Sequence, residues 1–386
     1  MKIAIIGYVF SGATLPLSLQ FSKFGYDIDC FYLVNKGSKS VESIDFDKKI
    51  EHLGRVHRIS KSNKLYKYLP ERVGVYCLPV IQNRRSLKRI HMGWLIPKVN
   101  IFFLDKYIRY VKKHSYDVVN VIIQSEFELY IAQQLVYGGV KCILSFHEVL
   151  SNLNGKPFLK PIVRKAVELG SPLIFHSEKT KKDFLSLYDN EGIKERVSVI
   201  PFGTFDSYKS FEGECKVYNE DKSFLLYMGS IHPYKGLGVL YDAVQRLSCK
   251  YKIIVAGGGF DPVIDKMKKD KRFFVINRFI KNEELVWLMK NCEAVLCPYI
   301  NASQSGLVQT AFVFNKPLIA TKVGAFEEIL INKYNGYLAE PSDSKSLAEA
   351  IDAFEKDGIK GTCVMPENFS WGVIAENYIK IFKSIC

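Results

Sequence analysis

Two short stretches place positive charge and free backbone N–H groups where a phosphate could be held. In GSIHPYKGLGVLYDAV, Lys235 and Gly236 stand at the junction of a loop and a helix, just after an apolar run that reads as a strand. A lysine ammonium is a compact point charge, and the first N–H groups of a helix lack intrahelical acceptors, so both can meet an anion there. Farther along, in NASQSGLVQTAFVFNKP, Ser305 and Gly306 open another helix after the run AVLCPY. Small residues at that mouth let an anion approach the N–H groups closely. Two such sites in one domain suit a diphosphate, against the plainer readings of a solvated lysine and an ordinary helix start. His147 follows the run KCILSF at a predicted strand end, where open α/β sheets bind ligands, and Glu148 and His176 carry weaker claims.

Other familiar motifs are incomplete. Gly7 and Gly12 have P-loop-like spacing but no Lys-Ser/Thr follows, and neither Gly7 nor Gly257 begins a full G-x-G-x-x-G. Asp27 and Asp29 form a D-x-D, yet they flank an alternating strand just after a glycine turn and read as strand residues. The nine cysteines are scattered without a Cys-x-x-Cys pair, which predicts buried thiols in a reducing cytoplasm and neither a disulfide framework nor a zinc site.

The elements that must position these residues alternate along the chain. IAIIGY, DIDCFYLV, VGVYCLPVI, DVVNVII, KCILSF, PLIFH and VSVI are short, continuous and rich in Val, Ile and Phe, as parallel strands buried on both faces should be. Between them lie amphipathic segments, one opened by Ser125 with Glu128 three residues later, a capping box. After a polar stretch the rhythm restarts with FLLYMGS, a helix over 236–247, KIIVAGGG, RFFVIN, the helix NEELVWLMKN, EAVLCPY, a helix near 306–314, and PLIAT. The expected organisation is therefore α/β, with two Rossmann-like βα domains facing across a cleft, over 1–203 and 223–369, a linker over 204–222, and a C-terminal helix over 370–386. That helix is predicted to turn Trp371, Ile374, Tyr378 and Ile379 to one side.

At roughly 150 residues per domain, 386 residues favour two domains and exclude a single short binding module. Charged residues are 24% and hydrophobic residues 48%, so neither a disordered tail nor a fibre is expected. The unusual figure is the charge: 54 Lys and Arg against 40 Asp and Glu give +14, which points to an anionic partner, whether nucleotide, nucleic acid or membrane surface. The lysine and short apolar run of MKIAIIGYVFSG look superficially like a signal peptide, but the run breaks at Gly7 and continues as strand, turn and helix. No stretch approaches the ~18 to 20 apolar residues that span a bilayer, so the protein is expected to be soluble or peripheral.

The ordered set FSGAT, HE, IPFGT, MGSIHPYKG, NRFIKNEEL, SQSG through KPLIATKVGAFEEI, YNGYLAEPSD and FSW resembles the group 1 glycosyltransferases, retaining GT-B enzymes that use nucleotide-sugars. It spans nearly the whole chain and is strongest from Phe224 to Asp343. The resemblance implies a C-terminal domain that binds a nucleoside diphosphate sugar, an N-terminal domain that binds a saccharide acceptor, and a last helix that crosses back. Lys235 would pair with the diphosphate, and the N–H groups of Ser305 and Gly306 would hold it from the other side. Gly12 would face the diphosphate or the acceptor, or simply form a tight turn. His147 matches the family's active-site histidine, which hydrogen-bonds near the transferred sugar. The implied reaction moves a hexose-type unit to an acceptor hydroxyl with retention, without a metal or other cofactor, in bacterial surface polysaccharide or lipid-linked glycan assembly.

Several positions depart from the family's pattern. Its paired glutamates fall at Ala302 or Ser303 and at Thr310, and its phosphate-pairing arginine falls at Ser230. Arg278 is the candidate to supply that charge, and Glu327 in GAFEE is a donor contact or a helix cap. The charge is also localised. From Lys36 to His114 there are 19 basic and 6 acidic residues, a net of +13, which leaves +1 for the rest of the chain. Within it, over 82–98, Arg84, Arg85, Lys88 and Arg89 neighbour Met92, Trp94, Leu95 and Ile96. Cations beside exposed apolar anchors suit an anionic bilayer surface, which would place the protein in the cytoplasm, peripheral on the inner face of the membrane and near a lipid-linked acceptor. The competing reading makes Trp94 and Leu95 core and the arginines a solvated face. A GT-B-fold nucleotide-sugar epimerase and a catalytically silent GT-B-like partner subunit are the alternative functions. No nucleic-acid partner is expected, because the basic run lacks a recognition helix or finger motif.

Overall fold

The computed structural model describes residues 1–7, 11–41, 44–81, 95–149, 160–188, 191–211, 215–220, 222–247, 250–302 and 305–386. The basic segment's Arg84, Arg85, Lys88, Arg89 and Trp94 lie outside the described residues, as do Ser303 and Cys249. The described part of 1–202 forms one compact unit with Trp371–Cys386, and 203–370 forms a second.

The first unit is built on strands β1 (Lys2–Gly7), β2 (Asp27–Asn35), β3 (Val73–Val80), β4 (Val118–Ile123), β5 (Cys142–Phe146), β6 (Leu173–Phe175) and β7 (Val197–Val199). Their order is β7-β6-β5-β4-β1-β2-β3, all parallel, with the short strand His57–Arg58 antiparallel on the outer edge of β3. Every residue of β3, β4 and β5 is buried, which is why these strands carry apolar runs on both faces. The longer helices are α1 (Ser11–Lys23), α2 (Leu95–Lys113), α3 (Glu126–Tyr137), α4 (Lys160–Glu168) and α5 (Glu178–Leu187), with a single helical turn over Glu191–Lys194. The capping box expected at α3 is present: Ser125 Oγ accepts from the Phe127 N–H at 3.2 Å, and the Ser125 N–H donates to Glu128 Oε2 at 2.8 Å. Asp29 lies within β2, and the Tyr116 hydroxyl donates to its carboxylate at 2.5 Å.

The second unit repeats the plan with β8 (Phe224–Met228), β9 (Lys252–Ala256), β10 (Phe273–Ile276), β11 (Ala294–Cys297), β12 (Leu318–Thr321) and β13 (Gly336–Ala339), in the order β10-β9-β8-β11-β12-β13. Its helices are α6 (Leu237–Val244), α7 (Ile264–Lys269), α8 (Asn282–Asn291), α9 (Gly306–Val313), α10 (Phe326–Ile329) and α11 (Ser344–Asp357). In both sheets the order reverses after the third strand, so that β4 lies beside β1 in one and β11 beside β8 in the other. That switch leaves a crevice at the carboxyl ends of the two adjoining strands. The stretch expected as a linker is packed instead: Asp206–Phe211 forms a 3-10 turn against α8 and α9, and Tyr218 is buried against Phe224 and Phe274.

The terminal helix α12 (Trp371–Ile385) belongs to the first unit and lies on α1. Ile374, Tyr378 and Ile379 are buried on its inner side together with Phe382, and Phe21 meets the rings of Tyr378 and Phe382 at 6.2 and 5.6 Å. Among the described residues no helix is long and apolar enough to cross a membrane. All the described cysteines are unpaired, and burial pushes the thiols of Cys30, Cys77, Cys142, Cys292 and Cys297 up to about 12.

Candidate functional site

The switch point of the second unit gathers the residues read as phosphate-binding. After β8 the chain runs through a 3-10 turn, Pro233–Lys235, and enters α6 at Gly236, whose φ is +71°. A side chain could not replace that glycine, because an added Cβ would lie 1.8 Å from the Pro298 carbonyl oxygen. The turn is thus pressed onto the chain leaving β11, and the Ile300 N–H donates to the Tyr234 carbonyl at 2.9 Å.

This contact sets Lys235 over an aromatic face. Its Nζ lies 3.7 Å from the centroid of Tyr299, with the Tyr234 ring 5.3 Å away on its other contact. Burial pulls the ammonium down to about 8. The attraction of the Tyr299 ring for a cation, about 2 kcal/mol where water is excluded, works in the opposite direction. Tyr299 is itself buried, its ring leans on Phe326 at 5.5 Å, and burial holds its hydroxyl protonated. That hydroxyl lies 3.2 Å from Ser305 Oγ.

Ser305 is the N-cap of α9, and its Oγ accepts from the Leu307 N–H at 3.3 Å. This leaves the preceding amides of the helix start without intrahelical partners. Tyr299 therefore joins a half-buried cation to a helix N-terminus within one unit. Gly306 has a second reason to lack a side chain, since a Cβ would meet Phe205 Cε2 at 2.7 Å.

The other expected donor contacts are placed differently. Thr310 is buried inside α9 and its hydroxyl donates to the Gly306 carbonyl at 2.8 Å. Arg278 gives Nη1 and Nη2 to the two oxygens of Glu284 at 2.8 and 2.6 Å, so the charge offered to a diphosphate is compensated within its own loop. That pair holds Glu284 well below the usual carboxylate range, and the same carboxylate accepts from the Lys281 N–H at 2.9 Å, capping α8. Ser230 is exposed and its carbonyl accepts from the Tyr227 hydroxyl at 3.0 Å. Ala302 is buried, and Glu327 is exposed on α10.

In the first unit, His147 directly follows β5 and is buried in a ring stack. Its centroid lies 4.7 Å from Phe202 and 4.9 Å from His176, and His176 lies 3.8 Å from Phe202. Burial drives His147 well below the ordinary histidine value, with the His176 charge a smaller cause. His176, lowered to about 4 by burial, donates from Nδ1 to the Ile200 carbonyl at 2.8 Å. The proton must sit on Nδ1 for that bond, so Nε2 carries the lone pair, buried and without a partner among the described residues. His176 borders a small cavity lined also by Thr14, Asn120, Phe202, Trp371 and Tyr378. Gly12 lies buried in the first turn of α1, and burial raises Glu148. Sequence reasoning missed Tyr299, whose signal was the Pro-Tyr after β11, and Phe202, which follows the Ile-Pro of IPFGT.

Residues 212–369, nearly all of the second unit, match the family described as glycosyl transferases group 1. That stretch is a group 1 glycosyltransferase domain. An uncharacterised glycosyltransferase of Methanocaldococcus jannaschii is 26% identical over 212 residues, 51% of this chain and 56% of its own length. The O-antigen chain mannosyltransferase C of Escherichia coli is 24% identical over 170 residues, 41% of this chain and 45% of its own. The chain thus spans about half the length of the curated relatives it matches. Among solved structures, Anabaena HepE in complex with UDP and glucose covers 100% of this chain and 98% of its own, at 18% identity and a TM-score of 0.59. The likeness establishes the fold, GT-B, for the whole chain. In the group 1 domain the lysine and the capped helix both sit at the switch point, where the sheet order alone would place a ligand.

Proposed function

We propose that the protein transfers a hexose-type sugar from a nucleoside diphosphate sugar to an acceptor hydroxyl, with retention at the anomeric carbon and without a metal. The observation that carries this reading is the linkage of Lys235 through Tyr299 to the N-cap Ser305. A half-buried cation and a helix N-terminus fixed on one aromatic side chain are suited to the charge that grows on a departing diphosphate, because they need no reorganisation as the bond breaks. The anomeric carbon–oxygen bond breaks, the acceptor oxygen bonds to that carbon on the same face, and a phosphate oxygen takes the acceptor proton. Lys235 and the amides at Ser305 and Gly306 hold the diphosphate. His147, neutral in its ring stack, hydrogen-bonds near the sugar. The domain order supports donor binding by the second unit and acceptor binding by the first. The O-antigen enzyme among the relatives supports a role in surface polysaccharide or lipid-linked glycan assembly, with the acceptor presented at the inner face of the cytoplasmic membrane.

A second reading, a catalytically silent GT-B-like partner subunit, is favoured by one observation: Ala302 or Ser303, and Thr310, stand at the places of the family's glutamates, and Thr310 turns its hydroxyl onto its own helix. A thermal-shift screen against nucleotide-sugars, followed by release of nucleoside diphosphate with and without saccharide acceptors, decides. Stabilisation that Lys235→Ala abolishes, with acceptor-dependent release, supports the transferase. Release without acceptor indicates an epimerase, and no shift with any donor favours the silent subunit.

A further inference from the structure

The outer face of α2 carries an arrangement that glycosyl transfer does not use. Asn100 fixes the roll of this helix: its Oδ1 accepts from the Ile81 N–H at 2.9 Å and its Nδ2 donates to the Ile81 carbonyl at 2.8 Å. Leu104, Tyr107, Ile108 and Val111 then face the core. At 3.6 residues per turn, Val99, Phe102, Lys106, Arg109 and Lys113 fall on the opposite stripe, and all five are exposed. Val99, Ile101 and Phe102 leave 39%, 38% and 59% of their surface uncovered, and Lys106 Nζ lies 4.9 Å from the Phe102 ring. The helix's one acid, Asp105, is turned aside, its carboxylate accepting from the Tyr130 hydroxyl at 2.7 Å.

A second basic element lies alongside. The Gly54 N–H donates to the Tyr107 hydroxyl at 2.9 Å, and a Cβ at Gly54, whose φ is +75°, would meet Phe103 at 2.8 Å and Lys106 at 3.1 Å. The glycine lets its loop lie flat on the helix, and the chain leading into and out of it carries exposed Lys48, Lys49 and Arg55 with exposed Asp47 and Glu51. The result is an apolar end and a cationic end on one face of α2, with no acid on that stripe.

We propose that this face of α2 docks on an anionic lipid bilayer. Phe102 and Val99 enter the headgroup boundary, and Lys106, Arg109 and Lys113 meet lipid phosphates, the division of labour of an interfacial amphipathic helix. A second copy of the chain is disfavoured as occupant, because a symmetric contact would set like charges against each other. The proposal rests on the reading of a membrane-presented acceptor only for its purpose; docking itself needs no donor.

Co-sedimentation with phosphatidylglycerol–phosphatidylcholine vesicles, against phosphatidylcholine alone and without donor, is the test. Wild type is expected to partition onto the anionic vesicles only. Lys106→Ser with Arg109→Ser should weaken partition about thirtyfold. Val99→Ser with Phe102→Ser should weaken it at least about tenfold, while melting temperature and donor-induced shift stay at wild-type values. Equal partition onto both vesicle types, no partition at all, or wild-type binding by both variants overturns the proposal. So does a concentration-dependent dimer, or single-strand oligonucleotide binding, that Phe102→Ser abolishes. Donor binding without vesicle binding sinks this inference alone, and vesicle binding without any donor response sinks only the transferase.

Discussion

Lys235 titrates near the working pH if burial sets its proton affinity, and that makes donor binding pH-dependent in a defined direction. Its ammonium is pulled down to about 8 from the ordinary lysine value. Only the charged form holds a diphosphate, so affinity is present below that value and is lost as pH rises through it. The apparent Kd is the intrinsic one divided by the charged fraction, which is about nine-tenths near pH 7 and about one-tenth near pH 9, so binding should weaken about tenfold across that interval. The diphosphate of a nucleotide-sugar is fully ionised throughout, so the lysine is the titrating partner. Calorimetric titration of the stabilising nucleotide-sugar at several pH values reads the effect directly. Lys235→Ala removes a charge-assisted contact worth about 1.5–3 kcal/mol, which lowers affinity roughly 10- to 150-fold and makes the remaining profile flat. Wild-type affinity in the alanine variant, or a wild-type profile as flat as the variant's, would refute the assignment of Lys235 to the diphosphate.

Tyr299→Phe keeps the ring under Lys235 and loses only the hydroxyl beside Ser305, so it should cost about 1 kcal/mol in a urea melt and bind donor nearly as wild type; Tyr299→Leu should lose donor affinity as well. Gly306→Ala drives a methyl into Phe205 and should destabilise by about 1–3 kcal/mol, with Phe205→Leu in the same chain restoring much of the loss in melting temperature. Arg278→Ala should lower the melting temperature by freeing Glu284 while leaving the donor Kd unchanged; a large loss of affinity would return Arg278 to the phosphate. The buried histidines work against acid: His176 is lowered to about 4, so between that value and the ordinary histidine range the unfolded chain binds the proton that the folded chain refuses. Stability should fall as pH drops through this window, and His176→Phe should flatten the fall in urea midpoints while preserving the ring stack.

The two sheets were legible because burial on both faces leaves a strong mark: IAIIG, VVNVII and CILSF read as strands without any knowledge of their neighbours, and the structure pairs them in parallel. The start of α3 was legible for a local reason, since a capping box is written within four consecutive residues. The packing of the polar stretch before β8 was not legible because its aromatics, Phe205, Tyr208, Phe211 and Tyr218, are scattered among polar residues without a strand or helix period, yet Tyr218 anchors it on Phe224 and Phe274. Arg278 looked available for a phosphate because sequence lists charges and not their pairings; Glu284 lies only one helical turn into α8 and takes it.

Tyr299 marks the limit most clearly. Lys235 and Ser305 could each be read from its own junction of strand, loop and helix, and each alone is a common feature with a plain structural explanation. What raises them above that level is a tertiary fact: β8 and β11 are neighbours at the sheet's reversal, so the chain leaving one passes under the chain leaving the other. Gly236 permits the close approach to Pro298, and the ring of the next residue then lies beneath the lysine with its hydroxyl at the helix cap. The same argument explains why Ser230 can stand where the family has an arginine. A lysine held by an aromatic face in a partly dry site is already oriented, and a single placed charge with two helix amides supplies complementarity that scattered surface cations would not. Restoring arginine at Ser230 therefore should raise donor affinity only modestly in wild type and more in Lys235→Ala, and equal gains in both backgrounds would show that the two positions act independently.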